Sequence, residues 1–285
     1  MKQDSPSQTA LLISKVMYLN SRQAPEYVVP ATKEISEKHV QDENSSGLLR
    51  ILLNSSLGRK VLSWVQNTVL PGFTAHVQRR KWWIYDYTQK WSQKNPQGQL
   101  VIIGAGLDGL ALEMSRRGSF QKVIEVDHPA TQKAKTELVN NSKIDFVPLD
   151  LTTKSVKDLK ALLVTGAPTL VVWEGVSMYL VEKDVQKFLQ DLAETLSAKS
   201  ELVWTYMVPD HESKIRFHYG AGLISWVLNI VKEPFVWGVP AEKLGEFVKP
   251  CGWTLQKDIG TYEVPIPVSN PCRGEKISVI SVVKN

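Results

Sequence analysis

Four short groups of residues in this sequence have the types and spacing of a ligand site. The first, Gly104-Ala105-Gly106-Leu107-Asp108-Gly109, follows directly on the apolar run 99–103, as expected where a buried strand feeds a tight turn. Glycine at 104 and 106 lets the backbone turn sharply and approach a ligand, where a β-carbon would restrict the dihedrals or block contact. The other three groups are carboxylates at the ends of apolar runs: Asp127 after 122–126, Asp150 at the end of 144–149, and Glu174 after 169–173. Asp127 is placed to accept hydrogen bonds from ribose hydroxyls. Asp150 is placed to hold an adenine amino group or a nearby backbone turn, and Glu174 to face an ammonium or sulfonium. Each also has a plainer reading: Asp127 as the cap of a helix beginning near Ala130, Asp150 as the cap of a turn, Glu174 as a loop acid. In register at successive strand ends they are expected to act together, because open parallel sheets bind ligands outside the carboxyl ends of their strands.

The elements that must position these residues are legible as a change of pattern along the chain. Residues 1–97 look helical, with apolar residues three and four apart over 10–19, 47–53 and 59–70, and an aromatic-rich helix through Trp82, Trp83 and 85–91. A turn at Asn95-Pro96-Gln97-Gly98 closes this extension. Residues 98–285 then alternate strand and helix, with helices expected at 107–117, 130–140, 153–163 and 182–197 and a fifth strand at 201–208. The runs 253–259 and 276–283 have no helix-length segment between them and can close the sheet as a pair. The expected fold is a doubly wound α/β sheet, mostly parallel and seven-stranded, with an N-terminal helical cap and an insertion at about 210–240. That insertion, before a helix at 241–248, is rich in large apolar residues, including Phe217, Leu223, Trp226, Phe235 and Trp237, and is expected to form a lid or a wall for a second ligand.

Composition narrows the function classes. The chain has 285 residues, 43% hydrophobic and 22% charged, enough to bury a large core. The longest apolar stretch, 221–231, is interrupted by Ser225 and Asn229 and falls short of the roughly 20 residues a membrane span needs. The first ten residues lack a basic segment followed by an apolar core, so a cytoplasmic location is expected. The two cysteines, Cys251 and Cys272, lack metal-ligand spacing and are expected as free thiols, with no metal bound. The net charge of +5 is dispersed among acids, so no nucleic-acid partner is expected. Arg79-Arg80-Lys81 is the one tight basic run, and on its own reads as a solvated helix face.

Six blocks in order resemble one family. Thr9-Ala10 with Ser14-Lys15, Arg80-Lys81-Trp82-Trp83-Ile84, Gly104 to Asp108, Glu125-Val126-Asp127-His128-Pro129, Pro148-Leu149-Asp150-Leu151 and 173–180 look like the blocks of the leucine carboxyl methyltransferases and the tetracenomycin-type O-methyltransferases. A weaker likeness continues at 233–239. The resemblance implies S-adenosylmethionine as cofactor and Gly104, Gly106, Asp127, Asp150, Leu151 and Glu174 as its contacts. It also implies that Arg80, joined by Lys15, pairs with the cofactor carboxylate, a contact suited to a guanidinium fork. The chain departs from many relatives in carrying Gly109-Leu110 where they have Thr-Arg.

The implied activity is O-methylation of a carboxylate or hydroxyl. The acceptor is expected to be a small-molecule acid or polyketide-like compound, with a protein C-terminus as the alternative. A carboxylate is ionised at neutral pH and needs no general base, whereas a phenol gains from one. Tyr206, His211 and His218 are the candidates for lining an acceptor pocket. A nicotinamide-dependent oxidoreductase would use the same glycine turn and Asp127, and a non-catalytic cofactor-binding protein would keep the same fold.

Overall fold

The computed structural model describes residues 6–41, 47–69, 71–139, 143–151, 154–217, 234–269 and 271–284. Five helices precede the sheet: α1 (Gln8–Gln23), α2 (Pro30–Gln41), α3 (Gly47–Asn54), α4 (Ser56–Val69) and α5 (Phe73–Lys94). The sheet comprises β1 (Gln99–Ile103), β2 (Lys122–Asp127), β3 (Ile144–Pro148), β4 (Thr169–Trp173), β5 (Glu201–Met207), β6 (Trp253–Gly260) and β7 (Glu275–Val282). Their order is β3-β2-β1-β4-β5-β7-β6, parallel except for β7, which runs antiparallel to both β5 and β6. Helices α6 (Leu110–Arg117), α7 (Pro129–Leu138), α8 (Glu182–Thr195) and α9 (Leu244–Val248) follow β1, β2, β4 and β5. The expected doubly wound sheet is therefore present, and its order reverses between β1 and β4, the crevice where such sheets bind ligands.

Strands β1 and β4 are buried at every position, as central strands covered on both faces must be. One face packs Leu100, Ile102, Leu170 and Val172 against Trp83, Ile84 and Leu110, so the N-terminal helices and the sheet share a core. The other packs Val101, Ile103, Val171 and Trp173 against Val185, Leu189 and Leu192 of α8. Among the described residues, no helix is long and apolar enough to cross a membrane. Both cysteines are free and buried.

Three expectations need correction. The segment 153–163 forms a 3-10 helix, Val156–Leu162, rather than an α-helix, with Val156 and Leu159 buried and Leu162 packed against the same core. The aromatic helix is one element of 22 residues that takes in the basic run. Helix α2 is absent from the sequence reading: Lys33, Glu34, Glu37 and Lys38 mask the buried face of Ala31, Thr32, Ile35, Ser36 and Val40.

Helix α2 bears directly on the glycine turn. Thr32 accepts the Gly109 N–H through Oγ1 (3.0 Å) and donates to Asp108 Oδ1 (2.7 Å), while Glu113 Oε2 accepts the Ala31 N–H (3.2 Å). A β-carbon on Gly109 would lie 2.1 Å from the Thr32 backbone nitrogen and 2.3 Å from the Ala31 carbonyl carbon. Gly109→Ala is expected to destabilise the protein by about 1–3 kcal/mol, because the obstacle is backbone and cannot rotate away. Thermal melts should show a drop of roughly 3 °C per kcal/mol. Gly47→Ala, with nothing near its β-carbon, should leave the melting temperature unchanged.

Candidate active site

The carboxyl ends of β3, β2, β1 and β4 open into a cavity of about 590 Å³. Arg80, Gly104, Gly106, Asp127, Asp150, Leu151 and Glu174 all line it, as the sequence reading expected. The sheet order sets their sequence in space: Asp150 and Leu151 past β3, Asp127 at the end of β2, the glycine turn after β1, Glu174 after β4. Three strand spacings separate the first from the last, about 14 Å, which demands an extended ligand. Gly104 and Gly106 have φ of 70° and 54°, in the left-handed region. The turn is pinned from below by Gly104 N–H donating to the Val126 carbonyl (2.8 Å) and from the side by Gly106 N–H donating to Asp127 Oδ2 (2.6 Å).

Asp127 also accepts the N–H of His128 at Oδ1 (2.6 Å). The helix cap there is supplied by His128, whose Nδ1 accepts the Ala130 N–H, and not by Asp127. Burial pushes the Asp127 carboxyl above its usual range, against the pull of those two backbone donors. Its remaining lone pairs suit hydroxyl donors such as those of a ribose.

At the other end lies a connected set of buried charges. Arg80, 7% exposed, donates through Nε to Glu174 Oε1 (2.7 Å) and through Nη1 to Glu275 Oε2 (2.6 Å). Lys81, 8% exposed, pairs with Asp108 of the glycine turn and lies 3.1 Å from Glu174 Oε1. Arg79 donates to the carbonyls of Val264 and Val268. The solvated-face reading of the basic run is thereby overturned: the long helix α5 turns these residues inward, and charges leave water only where partners meet them. Burial favours the neutral forms of Arg80 and Lys81, but the facing carboxylates outweigh it and raise both. Burial likewise opposes ionisation of Asp108 and Glu275, yet Lys81 holds the first, and Arg80 with His76 the second, at about 2.

Other expected residues lie elsewhere. Lys15 is half-buried on α1 and does not line the cavity, although its neighbour Ser14 does. Tyr206 is fully buried on the opposite face of β5, where its hydroxyl donates to Asp258 Oδ1 (3.1 Å) among Trp204 and Trp237. On a strand, neighbouring side chains alternate, so Thr205 faces the site instead and accepts the Gly175 N–H (2.8 Å). His211 is exposed beside Glu212. His218 lies outside the described residues. The sequence reading missed Lys81, Asp108 and Glu275. Asp108 and Lys81 stood inside quoted motifs, whereas Glu275 fell one residue before the expected last strand.

The depressed Asp108 and Glu275 carboxyls set a pH dependence. A group whose folded pKa lies below its unfolded one adds stability above the unfolded value and loses it as pH falls through the folded value. The melting temperature is expected to fall as pH is taken from about 4.5 towards 2, over the interval these two groups span. Asp108→Asn should cost about 1–3 kcal/mol near neutrality, since it leaves Lys81 with Glu174 as its one carboxylate partner, and should flatten the acid limb of the profile.

The donor set fits an amino-acid nucleoside. Carboxylates and a guanidinium meet at the β4 end, where a zwitterion would lie, and Asp127, Asp150 and Leu151 face the β2 and β3 ends, where a ribose and base would lie. Comparison with known proteins agrees. The family model of leucine carboxyl methyltransferase matches residues 36–193, more than half of the chain. YktD of Bacillus subtilis (strain 168), named as an S-adenosyl-L-methionine-dependent methyltransferase, is 30% identical over 115 residues; the match spans 38% of this chain and 38% of that relative's length. Among solved structures, a protein of Thermobifida fusca YX titled as a methyltransferase superposes with a TM-score of 0.60 at 13% identity, covering 80% of this chain and 89% of the other. A DUF574 family protein of Streptomyces avermitilis MA-4680 gives 0.59 at 12% identity, covering 85% and 98%. These two likenesses concern the fold. By the extent of the family match, the chain belongs to the leucine carboxyl methyltransferase family, whose methyl donor is S-adenosylmethionine.

Proposed function

We propose that this protein is an S-adenosylmethionine-dependent O-methyltransferase that methylates the carboxylate of a small apolar acceptor. The observation that carries this reading is the second half of the cavity. Beyond the charged cluster its wall is made by Ile13, Met17, Phe73, Met178, Phe217 and Phe235, drawn from α1, α5, the loop after β4 and both flanks of the insertion. The second flank is fixed in place, since Val236 N–H donates to the Met178 carbonyl (2.8 Å) and Val239 N–H to the Met207 carbonyl (3.0 Å).

Bound S-adenosylmethionine supplies an electrophilic methyl group on sulfur. The chain's own residues hold and orient. Arg80 is placed to meet the methionine carboxylate, and Glu174 the ammonium. Asp127 is placed to accept from the ribose hydroxyls, with Asp150 and Leu151 at the base. The apolar wall excludes water from the acceptor and leaves it to be positioned about 3–3.5 Å from the methyl carbon. Neither Tyr206 nor His211 reaches this wall. A carboxylate, already a nucleophile at neutral pH, suits such a site better than a phenol. Apolar and thioether side chains suit a flat hydrophobic acid.

Calorimetry is expected to show binding of S-adenosylmethionine and of S-adenosylhomocysteine, with no affinity for NAD. Asp127→Ala should weaken binding by about 10- to 100-fold, the scale of a lost charge-assisted hydrogen bond. Methyl-labelled cofactor, supplied with panels of hydrophobic acids, phenols and peptides with free C-termini, is expected to label an acid, and the label should leave in mild base as methanol. A base-stable product would assign a hydroxyl acceptor instead, labelling of a peptide C-terminus a protein substrate, and binding without transfer to any acceptor a non-catalytic role.

A further inference from the structure

The hairpin of α3 and α4 lies outside the cofactor cavity and has two apolar sides. The inner one is held against the protein: Leu53 and Leu62 pack on Tyr18, Leu19 and Val40. Arg59 Nη1 ties the two helices together by donating to the carbonyls of Leu53 (3.2 Å) and Asn54 (2.9 Å). The outer side faces solvent. Ile51, Leu57 and Trp64 are 67%, 71% and 68% exposed, the three most exposed large apolar side chains among the described residues, and Val61 is exposed with them. Leu57, Val61 and Trp64 stand at i, i+4 and i+7, so they form one stripe about 10 Å long down α4. Exposed apolar residues scattered singly are ordinary, whereas a run of them on one helix face marks a surface that meets something.

The charge around the stripe selects the partner. Residues 44–85 contain no Asp or Glu, in a chain with 29 acids, while α3 and α4 carry Arg50, Arg59 and Lys60. Lys60 is exposed and sits about 60° around the helix from Leu57, at the edge of the stripe. A groove beside it is bordered by Arg59, Lys60 and Arg22 of α1, the last paired with Glu37 at 3.0 Å. Leu, Val and Trp edged by cations are the composition of a helix that lies in the headgroup layer of an anionic bilayer, with the apolar face towards the acyl chains and the indole at the boundary. A second copy of this chain fits less well, because a two-fold contact across this face would set its cations against their own kind.

We propose that the outer face of the α3–α4 hairpin is a docking surface for an anionic lipid membrane, on which the protein rests without spanning it. The inference is independent of the cofactor reading, since Leu57, Lys60, Val61 and Trp64 do not line the cavity.

The test is sedimentation of the full chain with vesicles of phosphatidylcholine alone and of an equal mixture of phosphatidylcholine and phosphatidylglycerol, at low and at higher salt. Wild-type protein should bind the mixed vesicles, more weakly as salt rises, and leave the neutral ones largely bare. Lys60→Glu should weaken binding by about 10- to 30-fold, the scale of two unit charges near such a surface. Leu57→Ser and Trp64→Ser should each weaken it by about tenfold, and their melting temperatures should stay at the wild-type value because both side chains are exposed. Lys249→Glu makes the same change in net charge at an exposed residue on the α8 side of the sheet, and should leave binding unmoved. Failure of wild-type protein to sediment with the mixed vesicles, equal binding to both kinds, or binding indifferent to Leu57→Ser and Trp64→Ser overturns the proposal. So does a loss in Lys249→Glu as large as in Lys60→Glu, which would assign the attraction to net charge alone. A wild-type dimer that Trp64→Ser converts to monomer would give the face to a second copy and overturn it too.

Discussion

The two contacts of the Arg80 guanidinium, one to Glu174 beyond β4 and one to Glu275 at the start of β7, constrain the rest of the molecule. Glu275 is buried in the fold's interior and Glu174 stands at the cavity wall with little exposure, and charges so placed need facing partners. The cation must arrive from outside the sheet, because parallel strands and their crossovers fill both faces with aliphatic side chains. Helix α5 delivers it, and its 22 residues are needed to reach from Gly72, beside the insertion's Phe217 wall, to the turn that enters β1. The N-terminal helices are thus part of the site's electrostatics as well as its cover. Lys81, one residue on, extends the same network to Asp108 and so to the glycine turn.

Much of this architecture was legible from residue order. β1 and β4 stand where their apolar runs do, because strands buried on both faces tolerate little else and are bounded by glycine or acid. The ligand-facing Gly104, Asp127, Asp150 and Glu174 follow from the same rule, each sitting where a strand stops. What escaped was of two kinds. Tyr206 was placed in the acceptor pocket, but β5 is apolar on both faces, so hydropathy carries no parity and only pairing with β4 and β7 settles which side Tyr206 takes. Glu275, Lys81 and Asp108 escaped because their burial depends on partners up to 199 residues away along the chain, and composition cannot distinguish a buried ion from a solvated one.

The same logic explains why the basic run misleads. Three consecutive cations on a helix point in three directions 100° apart, and a solvated face would use only part of them. Here Arg79 caps carbonyls beyond β6, Arg80 meets the strand ends, and Lys81 meets the turn. Each direction finds acceptors because α5 lies wedged between the β6–β7 connection and the cavity rather than on the surface.

The glycine turn invites a reading as a nucleotide fingerprint, yet its glycines make room for the protein. A β-carbon at 104 would meet Val176 at 2.3 Å, at 106 Ala10 at 3.1 Å, and at 109 the backbone of α2 at 2.1 Å. Three separate segments, from the β4 loop, α1 and α2, converge on one hexapeptide and set its side-chain size. The turn is a joint before it is a cradle, and Gly109 is tied to where this chain's second helix starts. Any side chain at that position would require the entry of α2 to shift with it, so the size of one residue in the turn and the position of a helix some 77 residues earlier are a single variable.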